Sequence, residues 1–205
     1  VGGGGGGRGG ASAIYNGDDP RLWQGGPGGG SGTLARCTLD VEAGDKLTVR
    51  VGAGGTGGAG GTTKQDADGN YVGQFGKPGE DGDATQVDAE ADAEGYSVEA
   101  PGGSSAGALP GPGGSAEGIV CAGKPLEKKA GRNGSSGSMP SGQMGGTSGD
   151  GGTPEPNDVL TKHCPGAGSG GAGGNSASLT KDLSSKSNGA VGGTGQDGCV
   201  VLIPS

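Results

Sequence analysis

Glycine recurs in this chain at every third position, and that spacing constrains the fold more than any other feature. Gly54, Gly57 and Gly60 run alongside Gly55, Gly58 and Gly61 in GGTGGAGGT, and Gly73, Gly76, Gly79 and Gly82 keep the period through GQFGKPGEDG. The period returns at Gly131-Gly134-Gly137, Gly146-Gly149-Gly152, Gly168-Gly171-Gly174 and Gly189-Gly192-Gly195-Gly198. Three residues per repeat fit neither an α-helix nor a strand. They fit an extended left-handed helix of polyproline-II type, which makes no internal hydrogen bonds. Its backbone N–H and C=O groups must find partners elsewhere. Water can supply them, which makes a linker. Alternatively, several such helices lie side by side, each with a side-chain-free edge every third residue, and bond to one another. Many short runs in one chain suit such a bundle, and no run is long enough for a collagen triple helix.

Composition alone points to disorder. The 205 residues include 57 Gly and 12 Pro. Leu, Ile, Val and Phe together make up about 13% of the chain, in the range where a chain usually fails to bury a core. An ordinary globular enzyme domain is therefore not expected. The longest apolar run, Cys199-Val200-Val201-Leu202-Ile203, is far short of the ~20 residues that a membrane span needs. With 22 acidic and 14 basic residues and no basic stripe, the chain is not suited to nucleic acid.

Fixing glycine costs roughly 1–2 kcal/mol per residue, so a bundle this poor in apolar area needs something firmer to nucleate on. In TLARCTLDVEAGDKLTVRVG, residues 33–52, two runs of period-2 alternation flank Glu-Ala-Gly-Asp, which reads as a β-hairpin with a four-residue turn. GCVVLI, 198–203, reads as a closing strand buried against that hairpin. GIVCA (118–122) and YSVE (96–99) are weaker strands, and NDVLTKHC (157–164) and 178–184 can each make a turn or two of helix. The expected architecture is one glycine-rich domain over 1–205, mainly β plus irregular. A small antiparallel β-framework supports a bundle of polyglycine-II helices, with almost no α-helix.

Cys37, Cys121, Cys164 and Cys199 form no CxxC pair, so no zinc knuckle or thioredoxin-type site is expected. An even number in a core-poor chain fits two disulfides and an oxidising, extracellular compartment. Of three connectivities, Cys37–Cys199 with Cys121–Cys164 leads, because the two best strands carry the first pair. Four free thiols are the alternative. The chain begins with Val1 and shows no signal peptide, so it reads as processed or cropped, and secretion is inferred from cysteines and composition only.

Few residues can carry chemistry. His163 is the single histidine and adjoins Cys164, yet a Cys-His nucleophile pair must face each other across a fold. The plentiful carboxylates lack the apolar burial that splits their pKa values, so no catalytic residue is assigned and no enzyme is expected. Asp66, Asp68 and Asn70 place oxygens at alternate positions as a calcium loop does, but the glycine comes early and the closing glutamate is missing; calcium is a weak candidate and no other cofactor is expected. Asp88, Glu90, Asp92 and Glu94 alternate along DAEADAE and read as a solvated acidic edge that blocks strand addition. The glycine run 2–7 before Arg8 lacks the GxxxxGK[ST] pattern of a phosphate loop. Tyr15, Trp23, Tyr71, Phe75 and Tyr96 are the only aromatics, and they either plug bundle ends or stand exposed for recognition.

The order of features, a glycine run, then ARCTLDVEAGDKLTVRVGAGGTGG, then glycine-rich spacers and a closing GQDGCVVLI, resembles the glycine-rich domains at bacteriophage tail-fibre tips and in phage minor tail proteins. A similar domain occurs in the extracellular part of anaplastic lymphoma kinase-type and leukocyte tyrosine kinase receptors, whose cysteine framework this chain lacks. The resemblance implies a β-framework carrying polyglycine-II helices, with loops at the bundle ends that bind a partner. Members of these families usually carry an apolar strand before the first glycine run, here reduced to Val1. Either the fragment is cropped or a neighbouring subunit supplies the strand. The first expectation is a non-enzymatic extracellular adhesion module with Tyr15, Trp23, Tyr71 and Phe75 as receptor contacts, and a cell-surface receptor or copies of itself as partner. The alternative is a secreted filament or matrix subunit joined by strand addition or by flat glycine faces. A third reading is ice binding, which needs a flat Thr/Ala/Ser face.

Overall fold

The computed structural model describes residues 1–16, 19–21, 23–65, 67–68, 71–90, 96–121, 126–141, 144–178 and 187–204. It contains nine short strands and one short helix. The strands are β1 (Ile14–Asn16), β2 (Asp19–Arg21), β3 (Leu34–Cys37), β4 (Lys46–Arg50), β5 (Thr63–Gln65), β6 (Tyr71–Gly73), β7 (Thr85–Glu90), β8 (Tyr96–Ala100) and β9 (Leu126–Lys129), and α1 is Asp158–His163. All pairings are antiparallel: β1-β2, β3-β9, β4-β7-β8 and β5-β6. The β-rich class with almost no helix is the expected one. YSVE forms β8, and the helix falls where NDVLTKHC placed it, with the Asn157 carboxamide capping the N–H groups of Val159 and Leu160.

The strands are minor parts of the molecule. Among the described residues, ten extended segments at 1–13, 24–33, 52–62, 74–84, 101–107, 110–115, 130–139, 144–154, 168–178 and 187–199 bond to one another through backbone groups. In the first, the N–H groups of Gly2, Gly5 and Arg8 donate to the second segment, those of Gly3, Gly6 and Gly9 to the fourth, and those of Gly4, Gly7 and Gly10 to the tenth. Its carbonyls accept from the third segment at Gly4, Gly7 and Gly10, from the fifth at Gly3 and Gly6, and from the ninth at Gly5, Arg8 and Ala11. The first segment thus has six bonded neighbours. The second also has six, donating to the fifth, seventh and ninth and accepting from the first, sixth and eighth.

These bonds define three layers. The fourth, fifth and sixth segments make one, the third, first, second and seventh the middle one, and the tenth, ninth and eighth the other. Odd-numbered segments run one way and even-numbered ones the other, so successive connections lie at alternate ends. One end, the base, holds β3, β4, β7, β8, β9, α1 and both disulfides; the other, the tip, holds β1, β2, β5 and β6.

This packing explains the glycines. A Cβ on Gly3, Gly6 or Gly9 would collide with backbone of the third segment, and one on Gly4, Gly7 or Gly10 with backbone of the ninth. The buried interior accordingly has almost no large side chains, and its largest fully buried ones are Thr33, Ser12 and Ser31. Outer segments fill part of their missing lattice contacts with short side-chain acceptors. The Asp197 carboxylate accepts from Gly54 N, Asp81 from Ser105 N, Asn133 from Gly113 N and Asn175 from Ser148 N, at 2.6–3.0 Å. Each such bond is worth about 1 kcal/mol net, and more is lost when a buried N–H is orphaned.

Several expectations are corrected. The 33–52 hairpin does not form, although both strands and the turn do: Asp45 N donates to Glu42 O, and Gly44 takes φ 111°. The first segment lies between the second and third, so the roots of β3 and β4 stand on opposite sides of it. Each strand pairs instead with the continuation of a lattice neighbour: Leu34↔Lys129 follows the bond from Ser31 N to Arg132 O, and Arg50↔Gln86 follows that from Asp83 N to Ala53 O. The closing strand is also absent. Cys199 exchanges two bonds with Val1, while Leu202 and Ile203 are exposed and in no strand. The 118–121 stretch turns at Gly118 rather than forming a strand. Asp88 and Glu90 lie on β7, the middle strand of its sheet and not an edge, while Asp92 and Glu94, like residues 179–184, lie outside the described residues.

The disulfides pair Cys37 with Cys121 and Cys164 with Cys199, not Cys37 with Cys199 and Cys121 with Cys164. The expected pairing assumed that β3 and the C-terminal stretch were neighbouring strands of one sheet, and they are not. Peptide mapping under non-reducing conditions should recover 37–121 and 164–199 links. Opening each should cost about 4 kcal/mol by loop closure over 84 and 35 residues. A second test probes the lattice. Gly6→Ala should cost at least about 4 kcal/mol in chemical denaturation, whereas Gly107→Ala, whose Cβ meets nothing within 4 Å, should stay within about 0.5 kcal/mol of the parent.

Candidate functional site

The residues singled out as receptor contacts share one end of the molecule. Tyr15 lies in β1 and Tyr71 in β6, two strands that lie against each other at the tip; Trp23 leads into the second segment and Phe75 into the fourth. Trp23 and Phe75 pack edge to face with ring centroids 4.6 Å apart. The Arg8 guanidinium carbon lies 5.8 Å from the centre of the Phe75 ring, within cation–π range.

The fifth segment explains why these three side chains converge. It bonds to the first, second and fourth segments and stops at Gly107, while those three continue toward the tip. Arg8 belongs to the column of the first segment whose members Gly2 and Gly5 face the fifth, and it is the only non-glycine between residues 2 and 10. Where the fifth segment has ended, a side chain fits: Arg8 Nε donates to Gly76 O at 3.0 Å and Nη1 to Gly107 O at 2.9 Å. In the second segment Gly30 N and Thr33 N donate to the fifth, and the next residue of that column is Pro27, which has no N–H to leave unpaired. Trp23 at the root of the second segment, Phe75 of the fourth and Arg8 of the first thus meet beside the lattice position that the fifth vacates.

The plug is incomplete. Phe75 is 59% exposed, and the buried Trp23 Nε1 has no hydrogen-bond partner. Leu109, Met139 and Met144 are exposed at the same end, each by more than 60%. The plug was one of two readings of the aromatics in the sequence. The roles of Arg8 and Pro27 were missed, although an arginine interrupting a nine-residue glycine column was a visible signal.

Other candidates separate. Asp66 and Asn70 lie outside the described residues, Asp68 lies in the turn after β5, and the described residues hold no cluster of three or more His, Cys, Asp or Glu able to bind a metal. His163 is exposed at the end of α1, and its neighbour Cys164 is bonded to Cys199 and so offers no thiolate. Tyr96 is at the base in β8. The base also has an apolar pocket of about 160 Å³ walled by Leu34, Val87, Val98, Leu160 and Leu202, below the ~300 Å³ at which typical small-molecule sites begin. No helix among the described residues is long and apolar enough to cross a membrane, and the two disulfides fit an oxidising compartment. No protein-family model matches the chain, and no curated protein matches it.

Arg8→Ala should leave Gly76 O and Gly107 O without their partners and open the vacated position. The expected loss is about 1–3 kcal/mol in denaturation, with a red shift in the emission of Trp23, the single tryptophan.

Proposed function

We propose that this chain is a non-enzymatic extracellular adhesion module whose ten segments are polyglycine-II-type helices and whose tip binds a cell-surface receptor. One observation carries this reading. Strict alternation of segment direction gathers the connections bearing Tyr15, Trp23, Tyr71 and Phe75 at one end and both disulfides at the other. The period of three in the bonds, with six neighbours around each central segment, is what parallel packing of threefold helices requires. The resemblance to phage tail-fibre tips points the same way.

The filament reading divides into two. Joining copies through flat glycine faces loses its support, because within the segments every described glycine except Gly107 would place a Cβ against a neighbouring segment of the same chain. Strand addition keeps one observation in its favour, since among the described residues β4 is an outer strand of its sheet and pairs on one side with β7. For ice binding, Ala53, Thr56, Ala59 and Thr62 form one exposed Thr/Ala column, but Lys77, Glu80 and Asp83 on the adjoining fourth segment break it with charge.

The test compares ends. A panel of cells is probed with the labelled protein and a tip variant carrying Tyr15→Ala, Tyr71→Ala and Phe75→Ala. Binding should fall at least about tenfold in the tip variant and be unchanged by Val49→Asp at the base. Equal binding of the tip variant and the parent sinks the adhesin reading. An open-ended mass series abolished by Val49→Asp favours the filament instead.

A further inference from the structure

We infer that the vacated position above Gly107 is a binding site for an extended proline- and glycine-rich peptide of a partner protein, which continues the fifth segment toward the tip. The inference rests on reading the segments as polyglycine-II-type helices. Its argument lies in the backbone groups that face this position. Gly3 O and Gly6 O of the first segment accept from Gly103 N and Ala106 N of the fifth; the next carbonyl of that column, Gly9 O, has no partner among the described residues. On the fourth segment Gly82 N donates to Gly103 O, and Gly76 N, the group of that column level with Gly9, has no partner among the described residues. The walls of the position therefore present a negative carbonyl dipole, Gly9 O, on one side and a positive N–H dipole, Gly76 N, on the other. That charge pattern is complementary to a passing main chain, which offers an N–H and a C=O at each repeat, and not to an apolar ligand.

The aromatic groups add to this complementarity. Trp23 Nε1 is a donor with no acceptor, packed against a Phe75 ring that is largely exposed and so can swing aside. A tryptophan N–H beside an aromatic face is suited to a polyproline-II peptide, whose carbonyls stand free for hydrogen bonds and whose proline rings stack on the aromatics. Proline in such a peptide fixes φ near the threefold value and lowers the entropy lost on docking, while each glycine that becomes ordered still costs roughly 1–2 kcal/mol. Glycine suits the columns that meet the fourth and second segments, because a Cβ on Gly102 would collide with the backbone of Gly82 and one on Gly103 with that of Gly30. Arg8 holds the position closed through Gly76 O and Gly107 O, and on entry of a peptide its guanidinium transfers to the carbonyls of the incoming chain.

The experiment titrates the full chain with a capped (Pro-Gly-Gly)5 peptide while recording the emission of Trp23 and the hydrogen exchange of glycine amides. The expected result is a saturable emission change below about 1 mM. It should be weakened at least fivefold by Phe75→Ala and accompanied by new protection at Gly76. Protected amides at Gly5, Gly6 and Gly7 with no saturable emission change, or unchanged affinity in Phe75→Ala, overturn the site alone. Free exchange at Gly5, Gly6 and Gly7 overturns the polyglycine-II reading and the site with it.

Discussion

Backbone groups that cannot bond within their own segment must bond between segments, and this requirement governs the whole molecule. An extended threefold segment satisfies none of its own N–H or C=O groups. For the first and second segments, enclosed on six sides, water is not available as a partner, and each unpaired buried group would cost about 1–3 kcal/mol. Neighbouring backbones must therefore approach within hydrogen-bond reach in six directions at once, and only glycine leaves room for that. The usual hierarchy is inverted: hydrogen bonds fill the interior, and apolar side chains are displaced to the two ends. A chain with too little apolar area to fold conventionally can fold this way because the contacts it needs are made by the backbone.

The same requirement shows which parts of the fold were legible in the sequence. The three-residue glycine period was legible because a segment surrounded by neighbours needs glycine in every column, while a segment at the surface relaxes one column to Thr56, Glu80 or Ala172. Strand identity was legible in the alternation of 34–37 and 46–50, and the helix in the Asn157 cap. Strand pairing was not. All the glycine runs share one period, so any could lie beside any other, and the order of segments around the first one cannot be read from a repeat they have in common. Once that order is known the pairings follow, since β3 with β9, β4 with β7 and β7 with β8 each prolong two segments already bonded. The disulfides inherited the error in strand neighbours: Cys37 was matched with Cys199 through a sheet that does not exist.

The candidate site was legible in kind and not in construction. The sequence left the single tryptophan and phenylalanine either as plugs of the bundle ends or as exposed recognition groups, and both are at the tip. Their convergence depends on the length of the fifth segment relative to its neighbours, which no local pattern encodes. Arg8 and Pro27 record that length indirectly. A side chain is tolerated at Arg8, and an N–H dispensable at Pro27, only because the neighbour that would forbid the first and require the second has ended. Exceptions to glycine in an otherwise glycine column therefore carry more information about the lattice than the glycines do.

That argument separates scaffold from variable surface. Within the array a substitution in an enclosed column is forbidden by backbone on the far side, so those positions have almost no freedom to acquire function. Among the described residues, the connections at the tip join the array at their roots, where segments continue into β1-β2 and β5-β6. Their length and composition can change without disturbing a single lattice bond. The base is constrained differently, by two disulfides and by strands locked to the segment order. Of the two ends, the tip is the one where sequence can vary at little structural cost, and it is also the end that carries Trp23, Phe75 and the exposed Leu109, Met139 and Met144. Where the array ends unevenly, as it does above Gly107, scaffold and variable surface meet, and unpaired backbone groups stand beside an aromatic pair.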